Sequence, residues 1–244
     1  MNDMMAVVLA AGMGKRLGSE RTGIPKVMRT AAGRPMLSYV LDALGFIDRD
    51  KTVLVVGYKR EQIIAAFPEY PYAVQEQQLG TGHALACARE KLTSPDADVL
   101  VCCGDMPMLT RGTYSALVAE HREKKNACTV LTGVYDEKMA FGRIIRGADG
   151  KFERIVEQKD CTPEQDLVRE YNSGVYVFRA GPMLEALGKL RNENAQGEYY
   201  LTDVPELLAN EGLPVGALAL PLGDQLLGVN NEEDLARVEA LLRA

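Results

Sequence analysis

Residues 4–18 decide the fold of this chain, and they read MMAVVLAAGMGKRLG. Residues 4–9 form a continuous apolar run, which is typical of a parallel strand that is covered on both faces. Small residues and glycines follow over residues 10–18, and Lys15 and Arg16 lie among them. Glycines let backbone N–H groups approach a ligand closely, and successive N–H groups can hold an anion. The pattern therefore indicates a strand that opens into a candidate phosphate-binding loop.

The loop departs from the two commonest phosphate-binding motifs. The dinucleotide fingerprint G-x-G-x-x-G requires glycine where this chain has Leu17. A P-loop that ends at Gly14-Lys15 requires glycine at position 9 and serine or threonine at 16, where the chain has Leu9 and Arg16. The segment is therefore a phosphate loop of a third kind or a simple turn, and the adjacent bases make the first interpretation as good as the second.

Apolar runs alternate with helical periods along the rest of the chain. Strands are predicted at residues 52–56, 98–103, 128–134 and 215–220, and helices at 35–46, 60–67, 81–92, 113–124, 182–190, 202–210 and 231–243. The alternation is typical of an α/β protein with a mostly parallel sheet and helices on both faces. Residues 135–180 differ, because three short strand-like runs at 143–146, 152–157 and 174–178 predict a small β-rich lobe.

Composition limits the class of protein. The 244 residues carry a formal net charge of −6, which argues against a general nucleic-acid binder, because phosphate backbones require an excess of Lys and Arg. The length fits a single domain over residues 1–244. No apolar run reaches the ~18 residues of a membrane span, and Met1-Asn2-Asp3 lacks the basic start of a signal peptide. Cys102 and Cys103 lie in an apolar run and suggest a reducing compartment, so we expect a cytoplasmic protein.

Motifs along the chain resemble, in order, those of sugar-phosphate nucleotidylyltransferases. The opening L-A-A-G-x-G-x-R-L and the later Pro25-Lys26 carry the general signature. QEQQLGTGHA at 75–84 resembles the uridine-reading loop of the bacterial N-acetylglucosamine-1-phosphate uridylyltransferases. Further shared motifs are GDMP at 104–107, FGRI at 141–144, IVE at 155–157, NSG at 172–174, EYYLTD at 198–203 and GVNN at 228–231. The resemblance implies a Rossmann-like nucleotidyltransferase fold in which the β-rich lobe binds the sugar.

The resemblance also implies a reaction and its residues. A uridylyl group would pass from UTP to N-acetylglucosamine-1-phosphate, with Mg²⁺ as cofactor and pyrophosphate as the second product. Arg16 and Lys26 would be catalytic by holding the triphosphate, and Asp105 and Asn230 would bind the metal. The nucleotide would be bound by Leu9, Ala10, Ala11, Gly12, Gly14, Gln75, Gln78, Gly80 and Thr81, and the sugar by Gly142, Glu157, Asn172 and Tyr199.

Plainer interpretations exist for these residues. Asp105 follows the strand at 98–103, at the carboxyl edge where open parallel sheets bind ligands, but it could also be a turn residue before Pro107. Either Asn230 or Asn231 could simply cap the last helix; by position, Asn230 matches the metal ligand and Asn231 the cap. Arg16 and Lys26 could be solvated surface bases, and the glutamines could belong to a polar loop.

The chain also departs from the family pattern. Residues 18–24 form a longer connection between Arg16 and Lys26 than the family has, which puts the reach of Lys26 in doubt. The bifunctional relatives continue into a hexapeptide-repeat acetyltransferase domain, and no hexapeptide period is present here. We therefore expect no acetyl transfer, and a monomer or weak homodimer. Two alternatives stay open: the same transfer on another sugar phosphate such as glucose-1-phosphate, and a non-catalytic nucleotide-sugar sensor. A Rossmann NAD-binding protein is disfavoured by Leu17.

Overall fold

The computed structural model describes residues 3–243, which form one mixed sheet of nine strands with helices around it and a separate two-stranded ribbon. The strands are β1 Met4–Ala10, β2 Thr30–Ala31, β3 Arg34–Pro35, β4 Thr52–Val56, β5 Tyr72–Val74, β6 Asp98–Cys103, β7 Cys128–Val134, β8 Arg143–Arg146, β9 Phe152–Val156, β10 Glu170–Arg179 and β11 Val215–Ala219. The α-helices are α1 Ser19–Thr22, α2 Met36–Ala43, α3 Arg60–Ala66, α4 Thr81–Cys87, α5 Arg111–Lys124, α6 Ala180–Leu187, α7 Asp203–Asn210 and α8 Glu232–Arg243.

Met1, Asn2 and Ala244 lie outside the described residues. They include two of the three residues on which the signal-peptide expectation rests, and both ends of the domain expected over residues 1–244. Within residues 3–243, no helix is both long enough and apolar enough to cross a membrane.

The main sheet has the order β11-β7-β10-β6-β1-β4-β5. β1 pairs in parallel with both β4 and β6, β4 with β5, and β7 with β11, whereas β10 is antiparallel to β6 and β7. The mostly parallel α/β architecture is therefore confirmed. The central parallel strands β1, β4 and β6 are apolar and mostly buried, because helices cover both of their faces.

Successive strands are added first on one side of β1 and then on the other. After β1 the chain moves outward through β4 and β5, and it then returns to place β6 on the other side of β1. Connections that leave neighbouring strands in opposite directions open a crevice at the carboxyl edge of the sheet. That crevice lies between the glycine-rich loop after β1 and the segment after β6.

Each face of the sheet supports its own hydrophobic core. On one face β1 contributes Met5 and Val7, which pack with residues of α4, α6 and α7. On the other face it contributes Ala6 and Val8, which pack with residues of α2 and α5. The alternation follows from the two-residue period of a strand, and burial on both faces explains why residues 4–9 are continuously apolar.

The β-rich segment is less separate than the sequence suggested. β10 begins at Glu170, earlier than the predicted 174, and belongs to the main sheet between β7 and β6. Only β8 and β9 lie off the main path, as a pair attached to β10 through Tyr171 and Arg143. Gly174, at φ 75°, lies where the β10–β7 register shifts between Asn172 and Tyr176. Gly174, at which the sequence predicted a strand to begin, is therefore part of a β-bulge inside β10.

A third, smaller cluster fixes the C-terminal helix. Val229, Leu235 and Val238 pack with Leu17 and with residues of the β2–β3 ribbon and α2. This contact brings the end of the chain against the segment that follows the glycine-rich loop, and thereby places residues 228–231 at the carboxyl edge of the sheet.

Candidate active site

A cavity of about 260 Å³ lies at the carboxyl ends of β1 and β6. Ten of the residues predicted to bind the nucleotide, the triphosphate or the metal line it, namely Leu9, Ala10, Ala11, Gly12, Lys26, Gln75, Gln78, Gly80, Thr81 and Asp105. Val27, Ala84, Cys103 and Glu198 complete its lining. The structure therefore gathers residues from distant parts of the sequence around one space.

Gly14 lies beside this cavity and makes room for Lys26. Its φ is 75°, and a Cβ atom placed there would lie 2.7 Å from Lys26 Cβ. Any other residue would therefore clash with the lysine as well as strain the backbone. The glycine-rich loop thus sets the position of a positive charge, besides offering its own N–H groups.

The segment from Gln75 to Thr81 is tied to the glycine-rich loop. Gln78 Nε2 donates to the carbonyl of Ala11 at 2.8 Å. Gln75 is buried, and its Nε2 lies 3.0 Å from both the Gly80 carbonyl and His83 Nδ1. The two carboxamides therefore hold the walls of the cavity at a fixed spacing.

Gly80 is required by close backbone packing. A Cβ there would lie 2.6 Å from the Tyr199 carbonyl oxygen. Tyr199 N donates to the Leu79 carbonyl, and Gly82 N donates to the Tyr199 carbonyl, both at 2.8 Å. The Tyr199 backbone is thus paired with the segment from Gln75 to Gly82. This pairing brings Glu198, the residue before Tyr199, to the cavity.

Four polar side chains meet where Lys26 and Asp105 line the cavity; the other two, Arg16 and Asn230, adjoin them outside its lining. Lys26 Nζ forms an ion pair with Asp105 Oδ2 and donates to Asn230 Oδ1 at 2.9 Å. Arg16 donates to the same amide oxygen at 3.3 Å. The Lys26 and Asp105 side chains are 14% and 22% exposed, so the ion pair is largely shielded from water. The sequence-predicted catalytic pair and metal pair therefore form one cluster.

Helix capping orients Asn230. Asn231 Oδ1 accepts from Asp234 N at 2.9 Å, while Asp234 Oδ2 accepts from the backbone N–H groups of Asn230 and Asn231. This reciprocal arrangement is a capping box for α8. Asn231 is therefore the cap, as predicted, and the Asn230 side chain extends to Lys26 and Arg16.

The oxygen donors of Asp105 and Asn230 suit a divalent cation. Both already contact one positive charge, the Lys26 ammonium, so a single cation can reach both. A carboxylate and an amide oxygen are hard ligands that suit Mg²⁺, which keeps several positions for phosphates and water. Among residues 3–243, no group of three His, Cys, Asp or Glu side chains could hold a metal. The metal would therefore be bound by these two residues together with substrate oxygens.

The connection at 18–24, which is predicted to be longer than its family counterpart, does not prevent Lys26 from reaching this cluster. It folds into the short helix α1, bounded by Gly18 and Gly23 in left-handed conformations. Tyr58 OH donates to the Ser19 carbonyl at 3.1 Å, and Gln62 Nε2 donates to the Gly23 carbonyl at 2.8 Å. These residues are therefore packed against the segment around α3. Lys15 is exposed beside them.

The predicted sugar residues Gly142, Glu157 and Asn172 meet at the junction of β8, β9 and β10. Asn172 N donates to the Gly142 carbonyl at 2.9 Å, and Arg143 pairs with Val156, so Gly142 and Glu157 are neighbours across the strands. Cys103 lines the first cavity, and its Sγ lies 3.7 Å from the Cβ position of Gly174, two residues from Asn172. The residues form a second polar group that borders the first.

The polar groups of this second cluster are partly used within the protein. Asn172 Nδ2 donates to Tyr176 OH at 2.7 Å, and its Oδ1 accepts from Gly174 N at 3.1 Å. Glu157 Oε1 accepts from Thr202 Oγ1 at 3.1 Å. Burial raises the pKa of Glu157 above its usual value, and the Thr202 hydroxyl partly offsets this.

A second cavity adjoins the predicted sugar residues, and acidic side chains outnumber basic ones in its lining. The acidic residues are Glu157, Asp160, Glu193, Asp203 and Glu206, and the basic ones are Arg154 and Arg191. Burial raises the pKa of Asp203 to about 6, and the charges of Glu206, Glu157 and Asp160 add to this effect. Tyr200, whose OH donates to Asp160 Oδ2 at 3.3 Å, borders this cavity. Tyr199, the residue before Tyr200, is paired through its backbone with Leu79 and Gly82.

Sequence reasoning missed several residues of both groups. Cys103, Ala84 and Glu198 line the first cavity, and Thr202 holds Glu157. Ala84, Glu198 and Thr202 lie within motifs that the sequence analysis identified, and Cys103 directly precedes one, so membership of or proximity to a motif was the available signal. Cys103 is half-buried, and burial and the Asp105 charge raise the pKa of its thiol.

This geometry defines a nucleotidyltransferase, and comparison with known proteins agrees. Residues 6–203 match the MobA-like NTP transferase domain, and the chain belongs to that family. It is 41% identical over 245 residues to the bifunctional protein GlmU of Acetivibrio thermocellus, covering 100% of this chain and 52% of the relative. It is 42% identical over 240 residues to the bifunctional protein GlmU of Clostridium novyi, covering 98% and 52%.

The chain thus spans about half the length of these curated relatives. Among solved structures, it is similar to a putative glucose-1-phosphate thymidylyltransferase from Bacillus anthracis, with a TM-score of 0.76 and 19% identity. That similarity covers 98% of this chain and 95% of the other, and supports the fold. The Rossmann-like nucleotidyltransferase fold and the resemblance predicted from the motifs are confirmed.

Proposed function

We propose that the protein is a sugar-1-phosphate nucleotidylyltransferase that transfers a uridylyl group from UTP to N-acetylglucosamine-1-phosphate. The observation that carries the proposal is the single cavity at the carboxyl edge. There the loop at 9–12 and the segment at 75–81 meet the cluster of Lys26, Asp105, Asn230 and Arg16. A nucleotide pocket that ends in two cations and two hard oxygen ligands fits a nucleoside triphosphate.

The chemistry asks the protein to position two anions. An oxygen of the sugar phosphate attacks the α-phosphorus of UTP, a new P–O bond forms, and the bond to the leaving pyrophosphate breaks. The attacking oxygen is already an anion, so no protein base is needed. Arg16 and Lys26 offset the charge that develops on the phosphate oxygens, and positioning supplies the rest. Mg²⁺, when bound by Asp105 and Asn230, supplies further positive charge to those oxygens.

The two carboxamides are proposed to favour uracil. Gln75 and Gln78 line the cavity, and a carboxamide oxygen can accept from the imide N–H of the base, while the amide nitrogens of both residues hold the cavity walls. Gly80 lines the same cavity and is proposed to contact the base through its backbone. The loop at 9–12 lines the same cavity and offers N–H groups to the phosphates.

The β-rich lobe at about 135–180 is proposed to hold the sugar. Gly142 offers a backbone N–H, and Glu157 and Asn172 offer polar side chains to the hydroxyl groups and the acetamido group. Tyr199 is proposed as an apolar wall for the acetamido group, which would disfavour a free-amine sugar, because an unpaired buried ammonium is costly. We also propose a cytoplasmic monomer or weak homodimer that takes only small-molecule substrates.

Pyrophosphate release tests the proposal directly. UTP with Mg²⁺ and N-acetylglucosamine-1-phosphate is compared with glucose-1-phosphate, N-acetylgalactosamine-1-phosphate and the other nucleoside triphosphates. Rapid release with the first pair alone supports the reaction and both specificities. Release with another pair retains the chemistry and corrects the substrate. If no pair reacts, although UTP still raises the melting temperature, a nucleotide-sugar sensor becomes the better explanation.

A further inference from the structure

The connection between β7 and β8, residues 135–142, contains no helix or strand but leads directly to Gly142. Residues 136–138 and 140 are exposed. An exposed connection of this kind is ordinarily mobile, because few contacts order it. Here, however, its backbone is held by two buried side chains of the neighbouring strands.

The first of these side chains is Tyr171, which is fully buried in β10. Its hydroxyl donates to the Glu137 carbonyl at 3.0 Å and accepts from Met139 N at 3.3 Å. One hydroxyl group therefore fixes both ends of a three-residue piece of the connection.

The second is Arg143, which is also fully buried and follows Gly142 directly. Its Nη1 donates to the Phe141 carbonyl, and its Nη2 donates to Asp166 Oδ1 at 2.7 Å. The guanidinium carbon lies 4.9 Å from the centre of the Tyr171 ring. Asp166 also forms an ion pair with Lys138, so the carboxylate joins the connection to the segment before β10.

Strand geometry links these contacts to the sugar site. Tyr171 and Arg143 are register partners across β10 and β8. Side chains of neighbouring strand residues face opposite sides, so the Asn172 side chain lies on the face opposite to Tyr171. Asn172 N donates to the carbonyl of Gly142, which directly precedes Arg143, at 2.9 Å. Desolvation of an arginine is costly even when the side chain is paired, and the Nε of Arg143 is buried with no hydrogen-bond partner among the described residues. The arginine is therefore better explained by the geometry it imposes than by stability.

We propose that Tyr171 and Arg143 are positioning residues that hold the connection at 135–142 so that the Gly142 N–H meets the sugar phosphate. This inference rests on the proposed function. It assigns to the arginine of the FGRI motif, and to the tyrosine beside Asn172, a role in the affinity for the sugar substrate. Neither residue lines the nucleotide cavity.

Tyr171→Phe is the sharpest test, because it removes only the hydroxyl group. Tyr135→Phe is the matched control, since Tyr135 begins the same connection and its ring packs against Tyr171, but its hydroxyl donates to the Gly223 carbonyl. We expect Tyr171→Phe to raise the KM for the sugar phosphate about fivefold or more, with the KM for UTP and kcat within about twofold. We expect Tyr135→Phe to leave all three values near those of the wild type.

Arg143→Lys provides a second variant. It keeps the positive charge but cannot donate to the Phe141 carbonyl and to Asp166 with the geometry of a guanidinium. Hydrogen exchange at residues 136–142 adds a readout that is independent of turnover, and it should be faster in Tyr171→Phe than in the wild type. Equal rises in both KM values, an unchanged KM for the sugar phosphate, or unchanged exchange would overturn the inference. A wild type that is inactive with every substrate pair would instead overturn the proposed function, which distinguishes the two failures.

Discussion

Lys26 and Asp105 form an ion pair at the floor of the crevice, although each belongs to a different motif and a different strand connection. The ammonium also donates to Asn230 at 2.9 Å. It therefore contacts both of the oxygens that are proposed to bind Mg²⁺. A lysine and a divalent cation cannot share this position, so the triphosphate must offer Lys26 an alternative partner before both ligands are available to the metal.

Replacement of Lys26 by methionine should therefore strengthen metal binding while it weakens catalysis. We expect Lys26→Met to bind Mn²⁺ about tenfold more tightly than the wild type without nucleotide, equivalent to ~1.4 kcal/mol. Loss of a charge on the phosphates should lower kcat by about a hundredfold or more. Titration followed by electron paramagnetic resonance measures the affinity, and Lys15→Met is the control because Lys15 is exposed. Equal or weaker Mn²⁺ binding by Lys26→Met would contradict the competition.

Asp105→Ala should abolish turnover without unfolding the protein. The carboxylate is part-exposed and follows a buried strand, so its loss removes a metal ligand and an ion-pair partner but little packing. Circular dichroism should be unchanged, and kcat should fall by at least about a thousandfold. Asp42→Ala serves as the control, since Asp42 forms an exposed ion pair on α2. Near-normal turnover by folded Asp105→Ala would exclude the assignment of this residue to the metal.

Gln78→Ala should weaken binding of UTP more than binding of the sugar phosphate. The change removes a proposed contact to uracil, and it also removes the bond from Gln78 to the Ala11 carbonyl that holds the phosphate loop. We expect the KM for UTP to rise by up to about thirtyfold, since a net hydrogen bond contributes roughly 1 kcal/mol and two are lost. Gln77→Ala, in the exposed neighbour, should have little effect. Equal losses for both substrates would argue against a role in base recognition.

His121 should make the folded state sensitive to mild acid. It is buried, its Nδ1 lies 3.0 Å from Thr129 Oγ1, and burial lowers its pKa to about 4 although the Asp98 charge opposes this. Arg122 and Arg179 also face it and act in the same direction as burial. The unfolded state therefore binds more protons between pH 6.5 and 4, so the stability contributed by neutral His121 is present above 6.5 and lost as pH falls towards 4.

At about 1.4 kcal/mol per pH unit, this loss amounts to at most roughly 3 kcal/mol. Urea unfolding at several pH values measures it. The dependence should be shallower in His121→Gln than in the wild type, whatever the absolute stability of the variant. The comparison is needed because Glu157 and Asp203, whose pKa values are raised, change stability in the opposite direction over part of this range. Parallel curves for the two proteins would refute the role of His121.

The sequence predicts the parallel half of the fold well, because its strands are apolar on both faces. Strands β4, β6 and β7 have the predicted bounds. Helix α4 ends earlier than predicted, at Cys87, and continues as a separate short turn. Helix α6 begins two residues before Pro182, because a proline in the first turn of a helix has no N–H bond to lose.

The antiparallel strand β10 shows where local patterns fail. Its sequence EYNSGVYVFR mixes polar residues, a glycine and aromatic residues, so only its second half matches a strand pattern. Pairing with β6, β7 and β8 gives the first half its structure, and these partners are distant in sequence. Tertiary contacts thus decide an element that intrinsic preference does not.

In the candidate site too, some features follow from local sequence patterns and others from tertiary contacts. The glycine-rich loop, Asp105 and the Gln75–Thr81 segment could be placed at one edge, because carboxyl ends of parallel strands share it. The contact between Lys26 and Asn230, and the support of residues 135–142 by Tyr171, depend on packing between segments that no periodicity relates. Such contacts could be identified only once the strands had been brought together.

The bulge at Ser173 and Gly174 lies on β10 between the proposed site for the sugar phosphate and the proposed site for the nucleotide, so the length of β10 sets the distance between the two substrates. Residues before it join the proposed sugar lobe, and residues after it pair with β6, which leads to Asp105. One residue added or removed there would shift the lobe by about 3.3 Å along the strand and would reverse the facing of Asn172. That distance is comparable to the whole separation of atoms poised to react. A change in the length of β10 should therefore be far less tolerated than a change in the length of the connection at 18–24, which packs against Tyr58 and Gln62.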